Sequence, residues 1–174
     1  MEASKLLLTG LVLIICAFIC QLIGLASPYW VSYEILGIKA HFGLWKTCAK
    51  VKLLDIDECS DYDSEIIPDW IKAVRATSIL GFISLYVALV VTILKLFFLK
   101  DMKPALFAAI GSAFNGALFI LISIAVYSSK VGDFGLSQIT YDYHFAFVFC
   151  IMAMLAAFGA GSVMVVDAVR SKTI

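Results

Sequence analysis

The chain has 174 residues, enough for one domain, and 63% of them are hydrophobic, with a mean hydropathy of +1.01. Soluble globular domains use about 45–50% apolar residues, so the composition excludes an ordinary water-soluble protein and points to a bilayer. The 13 basic residues balance 13 acidic ones, which excludes the strongly basic character that a nucleic-acid partner needs.

Four apolar runs follow one another, at about residues 6–26, 76–99, 105–127 and 145–166. Each is close to the ~20 residues that cross a hydrocarbon layer ~30 Å thick. Helices of a soluble bundle keep a polar face, whereas LLLTGLVLIICAFICQLIGL is apolar all round. The reading is a single membrane domain, residues 1–174, with four transmembrane helices. The first run is long for the apolar core of a signal peptide and has no A-x-A site, so it is read as a retained span. A long loop at 27–75, a tight turn at 100–104 and a shorter loop at 128–144 connect the runs. Both substantial loops therefore share one side of the membrane, and the two termini share the other. Lys and Arg are nearly even between the sides, but those of the terminal side crowd into short segments with little acid. Cations concentrated in short segments favour the cytoplasm, so both termini are expected there.

In the first loop WVSYEIL alternates and is rich in β-branched and aromatic residues, Gly37 offers a turn, and KAHFGLWKTC continues as a second run. That pattern reads as a hairpin, with Cys48 on its second or third strand and Cys59 on the next. Of five cysteines, Cys16, Cys20 and Cys150 fall in apolar runs, and Cys48 and Cys59 lie in the polar loop. If the loop faces an oxidising space, such a pair is a staple, worth about 3 kcal/mol in the chain-entropy model. Zinc would want four N or S ligands at short spacing. The loop adds only His41, and His144 is the other histidine, so no metal or other cofactor is expected. The apolar Trp30, Leu44 and Trp45 need a place to bury. The membrane surface, where tryptophan is enriched, is the nearest.

Trp30, then Gly43-Leu44-Trp45, then Cys48 and Cys59, set on a four-span frame, resemble the W…GLW-x-x-C…C pattern in the first extracellular loop of the claudin superfamily. That group also holds peripheral myelin protein, the epithelial membrane proteins, the lens fibre intrinsic membrane protein and, more distantly, channel gamma subunits. Arg75, at the entry to the second run, stands where claudins carry an arginine. The resemblance covers the whole chain. It implies a membrane all-α four-helix bundle, left-handed, carrying a small extracellular antiparallel β-sheet (claudin-like). Four strands would come from the first loop and one from the second, for which SQITYDYHF alternates suitably. It also implies that Cys48 and Cys59 form a disulfide bond, that the Gly-Leu-Trp segment sits against the bundle top, and that both termini are cytoplasmic.

In function the resemblance implies a structural, non-enzymatic protein of cell–cell contact, junction or paracellular barrier formation in the plasma membrane, acting through its stapled sheet. The alternative is an auxiliary regulatory subunit of a channel or receptor. Expected partners are the lipid bilayer, further copies in cis or trans, or other membrane proteins. Two features depart from parts of the group. Lys172 stands two residues before Ile174, where a class I PDZ ligand needs Ser or Thr, so no PDZ-scaffold tether is expected. The sole asparagine, Asn115, lies inside a span, so the chain has no glycosylation sequon.

Asp55, Asp57, Glu58, Asp61, Asp63, Glu65 and Asp69 form an acidic run. It is no EF-hand, because Ile66 stands where Gly is required and Lys72 where the bidentate acid is required. It reads as a solvated rim, as an ion-selective or partner-binding surface that is strongest at low salt, or as a site of loose calcium binding. Small residues recur every fourth position at Ala108, Ser112 and Gly116, and at Ala153, Ala157 and Gly161. Such stripes let helices approach closely in lipid, within the bundle or between copies. No charge falls at mid-depth in a span, and no nucleophile sits beside a base, so neither transport nor catalysis is expected.

Overall fold

The computed structural model describes residues 5–35, 38–51, 56–62, 67–99, 102–133 and 141–173. Four long helices, α1 (Lys5–Ala26), α2 (Asp69–Phe97), α3 (Lys103–Lys130) and α4 (Phe145–Thr173), carry the apolar runs. All four are long and apolar enough to cross a membrane. Between α1 and α2 lie β1 (Val31–Ile35), β2 (Ile38–Phe42), β3 (Lys46–Val51) and β4 (Ile56–Asp61). A 3-10 turn, Val131–Asp133, and β5 (Tyr141–Tyr143) separate α3 from α4. In hydrocarbon every backbone N–H and C=O needs an internal partner, which leaves the helix as the only form these segments can take.

The helices pack in a ring, α1 on α2 and α4, and α3 on α2 and α4. Each buries one stripe at helical spacing and leaves large side chains such as Leu8, Tyr86, Phe107 and Leu155 facing outward. In α1 the stripe is Leu7, Gly10, Ile14, Ala17, Gln21 and Gly24. Small residues set the closest approaches. Gly81 of α2 and Gly116 of α3 face each other, and a Cβ on either would lie 3.4 Å from the other's carbonyl oxygen. Gly161 of α4 lies under the Phe114 ring of α3, and Ala153 and Ala157 are fully buried. The packing face of α3 includes Gly116 of the expected stripe but not Ala108. Ala108 is exposed, and Ser112 is half-buried with its hydroxyl on the Ala108 and Ala109 carbonyls of its own helix. The buried small residues are Ala105, Ala109, Ala113, Gly116 and Ala117. Two four-residue repeats run along this helix, and packing takes Ala105, Ala109, Ala113 and Ala117 from one and Gly116 from the other.

A polar cluster ties three helices together inside the bundle. Ser78 and Ser123 share a hydrogen bond of 2.6 Å, and Gln21 Nε2 donates to the Ser78 carbonyl at 3.4 Å. All three side chains are buried. Bonds between helices of this kind are a main source of cohesion where lipid supplies no hydrophobic drive.

The strands form one antiparallel sheet in the order β4-β3-β2-β1-β5. Four strands come from the first loop and the fifth from the second, as the resemblance implies. Of the stretch SQITYDYHF, residues 137–140 lie outside the described residues, and Tyr141–Tyr143 pair with Val31, Ser32 and Tyr33. The last residues of the segment read as the first loop are helical. Asp69 to Arg75 form the opening turns of α2, with Pro68 at its N-cap and Ile71 and Val74 buried beneath the sheet.

Candidate functional site

The sheet meets the bundle at the end of α1. A helix leaves its last carbonyls without intrahelical partners, and here two indoles take them. Trp30 Nε1 donates to the Gly24 carbonyl at 2.7 Å and Trp45 Nε1 to the Leu25 carbonyl at 2.8 Å, while Ser27 N donates to the Ile23 carbonyl at 3.0 Å. A tryptophan buries a large apolar ring but has one N–H to satisfy, and a helix C-terminus supplies the acceptor. Trp30 is wholly buried, 4.7 Å from the Tyr127 ring and 5.8 Å from Phe147. Trp45 stays 38% exposed.

The Gly-Leu-Trp loop is held from both sides. Gly43 passes so close to Pro28 that a Cβ there would overlap the Pro28 Cα, and Leu44 is fully buried. From the second turn of α2, Arg75 Nε donates to the Leu44 carbonyl at 2.6 Å. Its guanidinium carbon lies 4.9 Å from the Trp45 ring centre and 5.4 Å from that of Tyr62. A planar cation can bond the carbonyl in its own plane and stack on rings with its face, which an ammonium cannot. Tyr62 completes the clasp, its hydroxyl donating to the Gly43 carbonyl at 3.2 Å and its N–H to the Trp45 carbonyl at 3.3 Å. Burial pushes the Tyr62 phenol above its ordinary pKa, opposed by a hydrogen bond with Thr47 and by the Arg75 charge.

Strand alternation gives the sheet two unlike faces. One carries Glu34, Lys39, His41, Lys46, Cys48, Lys50, Asp57, Cys59, Asp61 and Asp142. Cys48 and Cys59 sit directly opposite each other on β3 and β4 and are disulfide-bonded, with Cα atoms 4.0 Å apart. Cys16, Cys20 and Cys150 are free thiols. On either side of the bridge, register places Lys46 across from Asp61 and Lys50 across from Asp57. Lys46 Nζ is 3.5 Å from Asp61, and Lys39 Nζ is 3.7 Å from Glu34. The other face is apolar near the bundle, where Val31 is buried and Tyr33 stacks on Phe42 at 5.3 Å. At the end farthest from the bundle, the backbone register brings four aliphatic positions, 35, 38, 51 and 56, into line across four strands. Ile38 is 41% exposed there.

A four-helix bundle whose first inter-helix segment folds into a disulfide-bridged sheet, clasped by Trp30, Trp45 and Arg75, is one architecture, and the comparison with known families agrees with it. The model of the PMP-22/EMP/MP20/Claudin family matches residues 3–164. The chain belongs to that family. A comparison with curated proteins finds no individual relative that matches. Membership makes this a claudin-like tetraspan membrane protein of a structural family.

In this claudin-like frame the expected residues divide into two groups. Trp30, Gly43, Leu44, Trp45 and Arg75 converge on the joint. Asp57, Glu58 and Asp61 lie along the edge strand β4, where charge blunts unwanted strand pairing, and Asp69 pairs with Lys72 at 3.0 Å in the first turn of α2. Asp55, Asp63 and Glu65 lie outside the described residues. Lys46 and Lys50 of β3 stand across from Asp61 and Asp57 of β4, so the described part of the acidic run lies beside cations. Two participants are not apparent from the motif alone. Tyr62 follows the acids of β4, yet its aromatic ring beside an otherwise polar segment is a signal. The Gln21–Ser78–Ser123 cluster is signalled only by polar residues inside apolar runs.

Proposed function

We propose that this protein works structurally in cell–cell contact, forming junctions or a paracellular barrier in the plasma membrane, with its stapled sheet outside the cell and both termini in the cytoplasm. Family membership supports a structural role. The observation that carries the contact role is Ile38, exposed at the far end of the sheet where the register lines up aliphatic positions, on a platform whose base is fixed to the bundle. Apolar side chains displayed away from the core and rimmed by charge mark surfaces that meet another protein. Because Lys46 and Lys50 stand across from Asp61 and Asp57, adhesion and sealing fit the sheet better than selection of cations by a net negative field.

The test is expression in cells that neither aggregate nor form sealed layers on their own. Expressing cells should aggregate with one another, and a layer of them should gain electrical resistance at matched surface levels. If neither quantity changes, and the protein instead co-purifies stoichiometrically with a channel or receptor, the contact role is wrong and an auxiliary role replaces it.

A further inference from the structure

His41 and His144 are the two histidines of the chain, far apart in sequence, and the fold brings them together. His41 lies on β2, and His144 follows β5 at the head of α4. Backbone bonds hold both positions at the base of the sheet. The His144 N–H donates to the Trp30 carbonyl and the Trp30 N–H to the Phe42 carbonyl, each at 2.9 Å, and register sets both His41 and Asp142 beside Ser32. The two imidazole centres are 5.6 Å apart with their planes at 86°. The Tyr29 ring stands against both, 4.7 Å from His41 and 5.4 Å from His144.

Ring packing alone leaves one polar atom unexplained. His144 Nδ1 is shut off from solvent and has no hydrogen-bond partner among the described residues. A neutral imidazole nitrogen needs a donor for its lone pair or an acceptor for its N–H, and burying it with neither is costly. A metal ion satisfies the lone pair without any donor, and histidine is the commonest protein ligand for such ions. Two imidazoles on one tetrahedral zinc, with Zn–N bonds of ~2.0–2.1 Å, place their ring centres about 5–6 Å apart. The pair already has that separation, and both ligands stand on backbone that the sheet fixes, so little has to move. Among the described residues no third His, Cys, Asp or Glu joins them, which leaves the remaining positions to water. Nitrogen donors favour zinc and copper over the oxygen-seeking magnesium and calcium.

We propose that His41 and His144 together bind one divalent transition-metal ion of the zinc class, which bridges the first and second loops. The ion clips β2 to the head of α4 and so secures β5, which otherwise pairs with β1 through Tyr141, Asp142 and Tyr143. The site lies at the base of the sheet, so it stands or falls independently of what the far end meets.

The experiment uses the purified full chain in detergent, disulfide intact, without a histidine tag and stripped of metal by a chelator. Titration calorimetry with zinc chloride should show one ion per chain, and zinc should raise the thermal transition while magnesium should not. His41→Phe and His144→Phe keep an aromatic ring in the cluster and remove the ligand. Each should lower zinc affinity at least ten-fold while melting close to the native chain in the absence of metal. Copper(II) added to the native chain should bind more tightly than zinc, and its electron paramagnetic resonance spectrum should show two imidazole nitrogens, a reading that requires no variant to fold. A native chain that binds no zinc would overturn the proposal. So would a copper spectrum with fewer than two imidazoles, or zinc binding as tight in both phenylalanine variants as in the native chain, which would leave the pair as ring packing only.

Discussion

The base and the far end of the sheet are built on opposite terms. At the base, four side chains of the joint donate to backbone carbonyls: two indoles on the last turn of α1, a guanidinium on Leu44 and a phenol on Gly43. At the far end Ile38 is open to solvent on one face, in line with other aliphatic positions of the register, and Lys39 pairs with Glu34 on the other. The residues that make this chain recognisable are therefore those that fasten the sheet, and the residues that could meet a partner follow no motif. A pattern shared across a family describes its joint and leaves its specificity to other positions.

If that division is right, damage at the base should cost stability and damage at the far end should not. Trp30→Ala should have the largest effect, removing a fully buried ring and the partner of the Gly24 carbonyl. A loss of about 3–5 kcal/mol is expected, seen as a lowered thermal transition by circular dichroism in detergent and as failed surface delivery. Replacing Cys48 and Cys59 together by serine removes a crosslink spanning a sequence separation of 11, and should cost about 2–4 kcal/mol. The change should fall on the sheet, with faster proteolysis between β3 and β4 and an unchanged helical signal. Arg75→Lys keeps the charge but loses the planar donor and the stacking on Trp45 and Tyr62. It should cost about 1–3 kcal/mol and quench or shift Trp45 fluorescence as the ring loosens. A lysine variant as stable as the native chain would show that charge alone suffices there.

How much of this is legible in the sequence follows from the physics of each signal. The four helices are plain because an all-apolar run of membrane length rarely forms anything but a span, and the family resemblance supplies the sheet and its pairing. Helix ends are less legible. Asp69 to Arg75 read as loop because charges interrupt the apolar run, although Pro68, Asp69 in the first turn and apolar residues at 71 and 74 carry the marks of a helix start. On α3 Gly116 packs as expected but Ala108 does not, because Ala108-Ser112-Gly116 and Ala105-Ala109-Ala113 have the same period and only contact with α2 and α4 sorts their members. The weakening of the acidic run cannot be read from order along the chain. It arises from register, which sets Lys46 and Lys50 across from Asp61 and Asp57.

The most direct measurement of the central claim places a charge at the far end of the sheet. Ile38→Asp alters an exposed side chain of β2 and should change thermal stability by no more than about 0.5 kcal/mol. At matched surface levels it should abolish aggregation between cells expressing it, while Lys39→Ala, on the opposite face, should leave most of it. Full aggregation by a normally delivered Ile38→Asp protein would contradict the account, and the contact surface would then have to be sought away from the far end of the sheet.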